Sequence, residues 1–414
     1  MLTALTVDQQ TALLMQGTTY GDEDTKRAMA AELRERLLES QRTGRPLRVY
    51  CGYDPRKPDL HLGHTITMRK LRQFQDLGHH VIFLIGSYTS LVGDPSDKDQ
   101  TRPVMTPEEV EANARTYIEQ AFKILDPQRT EVRHNGEWLS QLRLADLIRI
   151  AQNFTVQQFL ARENFAKRLE RGEPIFLQET FYALMQAYDA VALQADVQVG
   201  GTDQLFNILI AGRKLQQAMG QRPQVAIILD ILPGTDGEVK MSKSLGNHIP
   251  ILAEPADMYG KVMSIPDHAM PIYFKLVTRY TPEQVAAIEQ GLADGSRHPR
   301  DVKMELAREI VSIFHGDEAA AQAEEHFRTV FQQRELPSEM PEVRLMARTG
   351  LLSLMKEHGL APSTSEARRL VQQGGVRLDG HVVTDPQIEI EPPAEPVVLQ
   401  VGKRKFLRIV GQRG

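Results

Sequence analysis

The chain has one cysteine and one tryptophan among 414 residues. A lone thiol, Cys51, excludes an internal disulfide, and no Cys-rich spacing offers a structural metal site; both fit a reducing cytosol, so a cytoplasmic protein is expected. There is no run of about 18 apolar residues to span a membrane. The opening MLTALTVDQQTALLMQG lacks the basic start and unbroken apolar stretch of a signal peptide. Excess positive charge is missing too. The net charge is −5, so no global field draws in nucleic acid, and RNA would have to be held by local patches; neither a membrane nor DNA is an expected partner. Low-complexity segments and internal repeats are absent. What remains is an ordinary globular composition, 41% hydrophobic and 25% charged, at a length that suggests roughly three domains.

The order of patterns divides the chain. DEDTKRAMAAELRERLLESQR (22–42) has the spacing of an amphipathic helix, broken by Gly44 and Pro46. LRVYCGY (47–53) and HVIFLIG (80–86) are apolar runs of strand length, with a helix between them that begins near Gly63 and ends at Gly78. Strand, helix and strand at this spacing predict a parallel βαβ unit. ADVQVGG (195–201), NILIAGRKLQQAMG (207–220) and QVAIILDIL (224–232) repeat that logic. Beyond residue 245 the alternation stops. Residues 254–334 are helical in pattern, with Val302, Leu306 and Ile310 on one face of a helix closed by Gly316. LPSEMPEV (336–343) is the best linker. The tail carries a short helix closed by Gly359, a possible capping box at Ser363 and Glu366, and a hairpin signal at Asp379-Gly380. The expected fold is therefore α/β: a Rossmann-like parallel-sheet domain with N-terminal helices and a helical insertion over 1–245, an all-helical domain over 246–340, and a small α/β module over 341–414.

Two short motifs carry chemistry. HLGH (61–64) stands where a strand gives way to a helix, and the unpaired amides and positive dipole end there favour an anion. His61 and His64 can both face that spot, and Gly63 between them lets a flat base or a phosphate approach. KMSKS (240–244) follows the loop-rich DILPGTDGE and offers Lys240 and Lys243 as a clamp for a triphosphate. Alone, the first is as well explained by two ordinary loop histidines, and the second by a solvated basic turn. Their order and placement together resemble the class I aminoacyl-tRNA synthetases. In such a site a substrate carboxylate attacks the α-phosphate of ATP, and the protein positions groups and neutralises growing negative charge rather than supplying a nucleophile. His61, His64, Lys240 and Lys243 are the catalytic candidates.

Four segments sharpen the resemblance: VYCGYDPRKPDLHLGH, VGDPSDK, ETFYALMQAYDAVAL and VQVGGTDQLFN. They are similar to the tyrosyl-tRNA synthetase family between about 47 and 245. Tyr182, Gln186 and Asp189 lie at i, i+4 and i+7, which puts three polar side chains on one face of a largely apolar helix. Such a stripe is either wetted or partnered, and a ligand with an ammonium and a phenol would partner it. The resemblance implies that Tyr50 and Asp189 hold the substrate phenol, that Tyr182, Gln186, Asp94 and Gln204 surround its α-amino group, and that Thr89 stands nearby. It implies ATP contacts for Gly52, Asp54, Gly63, Gln198, Gly200, Asp203 and Met241 besides the two histidines and two lysines, and for Lys98 and Arg102 near the pyrophosphate. Without it, Asp203 is equally a helix cap, and Lys98 and Arg102 a solvated charge run. Arg56 and Asp97 depart from the residues common in the family.

The implied activity is tyrosine–tRNA ligation through tyrosyl-adenylate, with ATP as a substrate, Mg²⁺ expected alongside it on the phosphates, tRNA(Tyr) as partner and a homodimer as the assembly. The tail from about 349 to 412 resembles the S-four RNA-binding domain. There Arg368, Arg369, Arg377, Lys403, Arg404 and Lys405 are candidates for phosphate contacts. Rival expectations are a tryptophan-specific relative, a small-molecule nucleotidyltransferase with an HxGH turn, and a non-catalytic RNA-binding relative. Tyr50 with Asp189, the helical and RNA-like tail, and the intact histidines and lysines argue against them in turn.

Overall fold

The computed structural model describes residues 5–56, 58–96, 105–329, 340–393, 395–402 and 405–411. Lys98, Arg102, Lys403, Arg404, the departing Asp97 and the first half of the expected linker lie outside these residues. The chain divides into two compact units, Met1–Phe327 and Arg328–Gly414.

The first unit opens with helices α1 (Val7–Met15) and α2 (Glu23–Thr43). The Asp22 carboxylate caps α2 by accepting from Thr25 N, and Gly44 ends it at φ +71°, a conformation glycine adopts without strain. Then follow β1 (Arg48–Tyr53), α3 (Leu62–Asp76), β2 (His80–Ile85), α4 (Pro107–Ala121) and β3 (Thr130–His134). Four short helices come next, α5 (Gly136–Leu139), α6 (Leu144–Ala151), α7 (Val156–Leu160) and α8 (Glu163–Glu170), then the longer α9 (Leu177–Ala192). β4 (Val197–Gly201) leads through a π-helical turn, Phe206–Gly212, into α10 (Arg213–Ala218) and β5 (Val225–Leu229).

These five strands form one parallel sheet in the order β3-β2-β1-β4-β5. The chain adds strands to one side of β1 and then returns to add β4 on the other. The order therefore reverses between β1 and β4, and in open α/β sheets a ligand crevice lies at the carboxyl ends of such a pair. Side chains alternate between faces. Val49 and Cys51 of β1 join Val81, Phe83 and Ile85 of β2 in the large core. Tyr50, Ile82 and Leu84 point to the opposite face and pack with Ala190, Leu193 and Ala195 at the end of α9. That alternation sends the Tyr50 ring toward the helix that carries Asp189.

Helices α11 (Pro255–Met263), α12 (Met270–Val277), α13 (Pro282–Ala293), α14 (Pro299–His315) and α15 (Asp317–Phe327) complete the unit. Val302, Leu306 and Ile310 are fully buried, as their spacing predicted. This helical region shares its apolar core with α3 and the sheet.

The second unit holds α16 (Leu351–Glu357), α17 (Thr364–Gln372) and a sheet in the order β6 (Glu342–Arg344), β12 (Lys405–Val410), β11 (Val397–Val401), β8 (Val376–Leu378), β9 (His381–Val382). A two-stranded pair joins β7 (Thr349–Gly350) to β10 (Glu389–Ile390). Asp379 and Gly380 connect β8 to β9 with φ of +47° and +80°, the backbone that a two-residue hairpin needs. The capping box forms by half: Ser363 Oγ accepts from Glu366 N at 3.2 Å, while the Glu366 carboxylate pairs with Arg369.

Candidate active site

A cleft of about 780 Å³ opens at the carboxyl ends of β1 and β4, where the strand order reverses. It gathers every described residue expected at the amino-acid or ATP sites: Tyr50, Gly52, Asp54, His61, Gly63, His64, Thr89, Asp94, Tyr182, Gln186, Asp189, Gln198, Gly200, Asp203, Gln204, Lys240, Met241 and Lys243. Residues more than 190 positions apart thus meet at one wall.

HLGH shapes the near side. His61 is the residue before α3, and its backbone N–H donates to His64 Nδ1 at 3.1 Å. An accepting Nδ1 on a neutral imidazole leaves the hydrogen on Nε2, so His64 offers a donor. The two rings lie 3.9 Å apart between centroids. A Cβ on Gly63 would stand 3.0 Å from His61 Cε1 and 3.6 Å from Met241 Cβ, so a side chain there would crowd the first histidine and the lysine loop. That loop is knitted to the same turn. Leu62 N donates to Ile249 O at 3.0 Å, and Met241 N to Leu232 O at 3.0 Å. Asn247 is buried; its Oδ1 accepts from Ser242 N at 2.8 Å and its Nδ2 donates to Asp236 Oδ2 at 2.6 Å. Met241 and Asn247 anchor the loop while Lys240 and Lys243 stay exposed, and Lys243 pairs with Asp59.

The inner end is a carboxylate network. Asp189 Oδ1 accepts from Trp138 Nε1 at 2.7 Å, and Oδ2 from Asn135 Nδ2 at 3.2 Å. Asn135 Nδ2 also reaches Thr89 Oγ1 at 3.1 Å, and that hydroxyl donates to Asp54 Oδ1 at 2.8 Å. Tyr182 closes the chain by donating to Asp54 Oδ2 at 3.0 Å. Burial pushes the Asp189 carboxyl up to about 8, with Trp138 and Asn135 opposing the shift. Burial likewise lifts Asp54 to about 6. Asp94 is raised by burial and then by the charge of Asp203; its Oδ2 accepts from Gln204 Nε2 at 2.5 Å.

The polar stripe of α9 is thus partly satisfied by the protein itself. Tyr182 and Asp189 have partners, whereas Gln186 Oε1 and the fully buried Tyr50 hydroxyl have none. Buried polar groups without partners are rare and demand an explanation. Gln198 is also buried, its Oε1 accepting from Gln224 Nε2 at 2.5 Å.

Trp138, Asn135 and Gly86 belong to the site but carry no motif. Asn135-Gly136 after a charged run is the kind of turn that could have marked the end of β3. A Cβ on Gly86 would fall 2.0 Å from Asp54 Oδ1 and 2.4 Å from Thr89 Oγ1. Gly86→Ala is therefore expected to displace Asp54 and weaken binding of a substrate in this cleft by about tenfold or more, as befits loss of a charged hydrogen bond; steady-state kinetics beside a melting curve would check it, and unchanged KM values would refute it.

A parallel sheet with its cleft at the reversal point, an HxGH turn at a helix start and a lysine loop across it define the catalytic domain of a class I aminoacyl-tRNA synthetase. The model for tRNA synthetases class I (W and Y) matches residues 41–332, and the S4 domain model matches 349–393. The tyrosine–tRNA ligase of Moorella thermoacetica is 55% identical over 379 residues, 91% of each chain; that of Thermotoga maritima is 52% identical over 377 residues, 91% of this chain and 94% of the other. Among solved structures, the C-terminally truncated Aspergillus nidulans mitochondrial tyrosyl-tRNA synthetase superposes with a TM-score of 0.62 at 23% identity, over 78% of this chain and 94% of that one. The chain belongs to the bacterial tyrosyl-tRNA synthetase family within these class I enzymes.

Proposed function

We propose that the inner end of the cleft takes the side chain and ammonium of tyrosine, and that ATP lies across the β1/β4 reversal between HLGH and KMSKS. The chain is a tyrosine–tRNA ligase: it activates L-tyrosine with ATP to tyrosyl-adenylate and pyrophosphate, then transfers tyrosine to tRNA. One observation supports the amino-acid assignment above others. The Tyr50 hydroxyl is fully buried and unpartnered, and it lies within electrostatic reach of Asp189. A phenol inserted there accepts from Tyr50, which gains the partner it lacks, and donates to the carboxylate as a third donor beside Trp138 and Asn135.

Asp94, Tyr182, Gln186, Gln204 and Thr89 then enclose the ammonium with acceptors, and Asp54, which the resemblance gave to ATP, is bonded to Thr89 and Tyr182 and so borders the ammonium instead. The Tyr182 hydroxyl already donates to Asp54, so its remaining lone pairs accept. Gly52, Gly200 and Asp203 border the nucleoside, with Gln198 behind them. His61, His64, Lys240 and Lys243 meet the phosphates, where charge grows in the transition state. The described residues contain no group of three or more His, Cys, Asp or Glu side chains able to hold a metal. Magnesium carried on the ATP phosphates would add charge neutralisation there. ATP–pyrophosphate exchange with each of the twenty amino acids tests the assignment: exchange with tyrosine alone is expected, and exchange with tryptophan or with none would refute it.

On the RNA side, α17 exposes Arg368 and Arg369, with Arg369 bound to Glu366. Arg377 donates to Gly380 O at 3.1 Å, and Lys405 donates to Gly359 O and Leu360 O, just past α16, at 3.0 and 2.9 Å. We assign these cations to phosphate contacts of tRNA and the helical region before them to the anticodon arm. For the assembly, α6 to α9 expose Leu144, Ile148, Val156, Leu169, Phe176 and Leu177 at 50–74%. So many uncovered apolar side chains in one inserted segment favour a protein interface, and we assign it to a second copy of this chain. Sedimentation of the wild type at twice the chain mass is expected, with Ile148→Asp plus Leu177→Asp shifting it toward one chain; a monomeric wild type would refute it. No helix among the described residues is long and apolar enough to cross a membrane.

A further inference from the structure

The loop that carries Asp94 is held from outside the sheet. Arg162, just before α8, is 7% exposed. Its Nη2 donates to the Ser96 hydroxyl at 2.7 Å, and its guanidinium lies over the rings of Phe165 and Phe206, at 5.2 and 5.0 Å from their centroids. Nη1 is buried without a hydrogen-bond partner. Asn164 Nδ2 donates to Pro95 O at 2.8 Å, and Asn207 Nδ2 to Ser96 Oγ at 3.3 Å. The Ser96 amide in turn donates to Asp94 Oδ1 at 2.8 Å. Burial lowers the guanidinium pKa, and the charges of Asp94 and Tyr182 oppose that shift.

A buried cation is costly unless it is compensated. This one has two aromatic faces, one hydroxyl and the field of Asp94, with no carboxylate in ion-pair contact among the described residues. Its polar contact is with the segment Asp94-Pro95-Ser96 and not with its own helix. The arrangement stiffens a loop rather than closing an ion pair.

We propose that Arg162 is a positioning residue for the substrate ammonium. It does not touch the amino acid; by bonding Ser96 and facing Asp94 it fixes the carboxylate that receives the ammonium. This rests on the placement of the amino group beside Asp94. With Asn164 and Trp138, it also links the α5–α8 insertion to the cleft.

Arg162→Met keeps an unbranched apolar stem against the two rings but removes charge and bond. Ser96→Ala removes the hydroxyl alone, and Arg162→Lys restores the charge. The readouts are KM and kcat for tyrosine in pyrophosphate exchange, and the competitive inhibition constant of 3-(4-hydroxyphenyl)propionate, which has the phenol and carboxylate but no ammonium. Arg162→Met is expected to raise the tyrosine KM about tenfold, with kcat within about threefold and the deamino analogue within about twofold. Ser96→Ala should move tyrosine KM less and in the same direction, and Arg162→Lys should recover part of the loss. Equal weakening of tyrosine and the analogue would overturn the proposal in favour of a general packing role, as would no change in either. Failure of the underlying placement shows separately in the wild type: an analogue that inhibits with a constant equal to the tyrosine KM would mean that no group in the cleft reads the ammonium.

Discussion

Lys243→Ala slows adenylate formation by about 10²–10³-fold in single-turnover kinetics while leaving tyrosine affinity within about twofold. The rate loss is what one well-aimed donor to developing charge contributes. The affinity should hold because Lys243 makes its contact with Asp59 at the cleft mouth, not with the carboxylate network around Asp189. Stability should hold as well. Both partners of the Lys243–Asp59 pair are about half exposed, and exposed pairs contribute about 0–1 kcal/mol. The loop is instead anchored by buried Met241 and Asn247, which the substitution does not touch. The weak pair also explains how the ammonium can leave Asp59 for a phosphate at little cost. Asp59→Asn is the control: it frees Lys243 and should leave the rate near wild type. An unchanged rate in Lys243→Ala would remove the lysine from the chemistry.

The contrast between buried anchors and exposed loop residues separates what the sequence reveals from what it hides. β1, β2 and α3 were legible because apolar runs buried on both faces leave no other choice, and Gly78 marks a stop with φ +91°. Asp379-Gly380 was legible because few pairs tolerate two positive φ values. β3 was not. All five of its residues are half-buried, as at an edge, and the charges of Glu131 and Arg133 hide the strand pattern. The π-helical turn at Phe206–Gly212 keeps helix-like composition and shifts only the hydrogen bonding. The described residues on motifs line one cleft, whereas the residues that support them carry no motif. Trp138 and Asn135 reach Asp189 across about fifty residues, and Arg162 reaches Ser96 across 66. No local spacing encodes such pairings; they follow from strand order and from which sheet face a side chain meets. Tyr182 is the instructive middle case. Its place on a polar helix face was readable, but its bond to Asp54 required the fold.

Tyrosine binding tightens as pH rises from about 6 to about 8, and Asp189→Asn abolishes that dependence together with much of the discrimination against phenylalanine. Burial holds the Asp189 carboxyl at about 8, far above an ordinary aspartate near 4. The folded protein therefore keeps a proton that the unfolded chain has lost. For a raised carboxyl the stability from that proton is fully present below about pH 4 and is lost as pH climbs through about 8. A phenol that donates to Asp189 favours the ionised form, so binding below pH 8 expels the proton, and the affinity follows the ionised fraction. Asp54, lifted to about 6 in the same network, adds a second, more acidic shoulder. Asparagine keeps the volume but carries no proton to lose, so Asp189→Asn should stabilise the empty protein at pH 8 and flatten the pH profile of tyrosine KM above the Asp54 shoulder. Discrimination rests on groups that phenylalanine serves poorly. A buried polar group without a partner costs about 1–3 kcal/mol; phenylalanine leaves the Tyr50 hydroxyl unpartnered and covers the Asp189 carboxylate, bonded to Trp138 and Asn135, without giving it the further donor that tyrosine brings. Tyr50→Phe with Asp189→Ala removes both penalties, and the tyrosine-to-phenylalanine ratio of kcat/KM should fall by at least about 10²-fold. Each single variant should fall short of the double one. A double variant that still prefers tyrosine as strongly as the wild type between pH 6 and 9 would place the phenol elsewhere in the cleft.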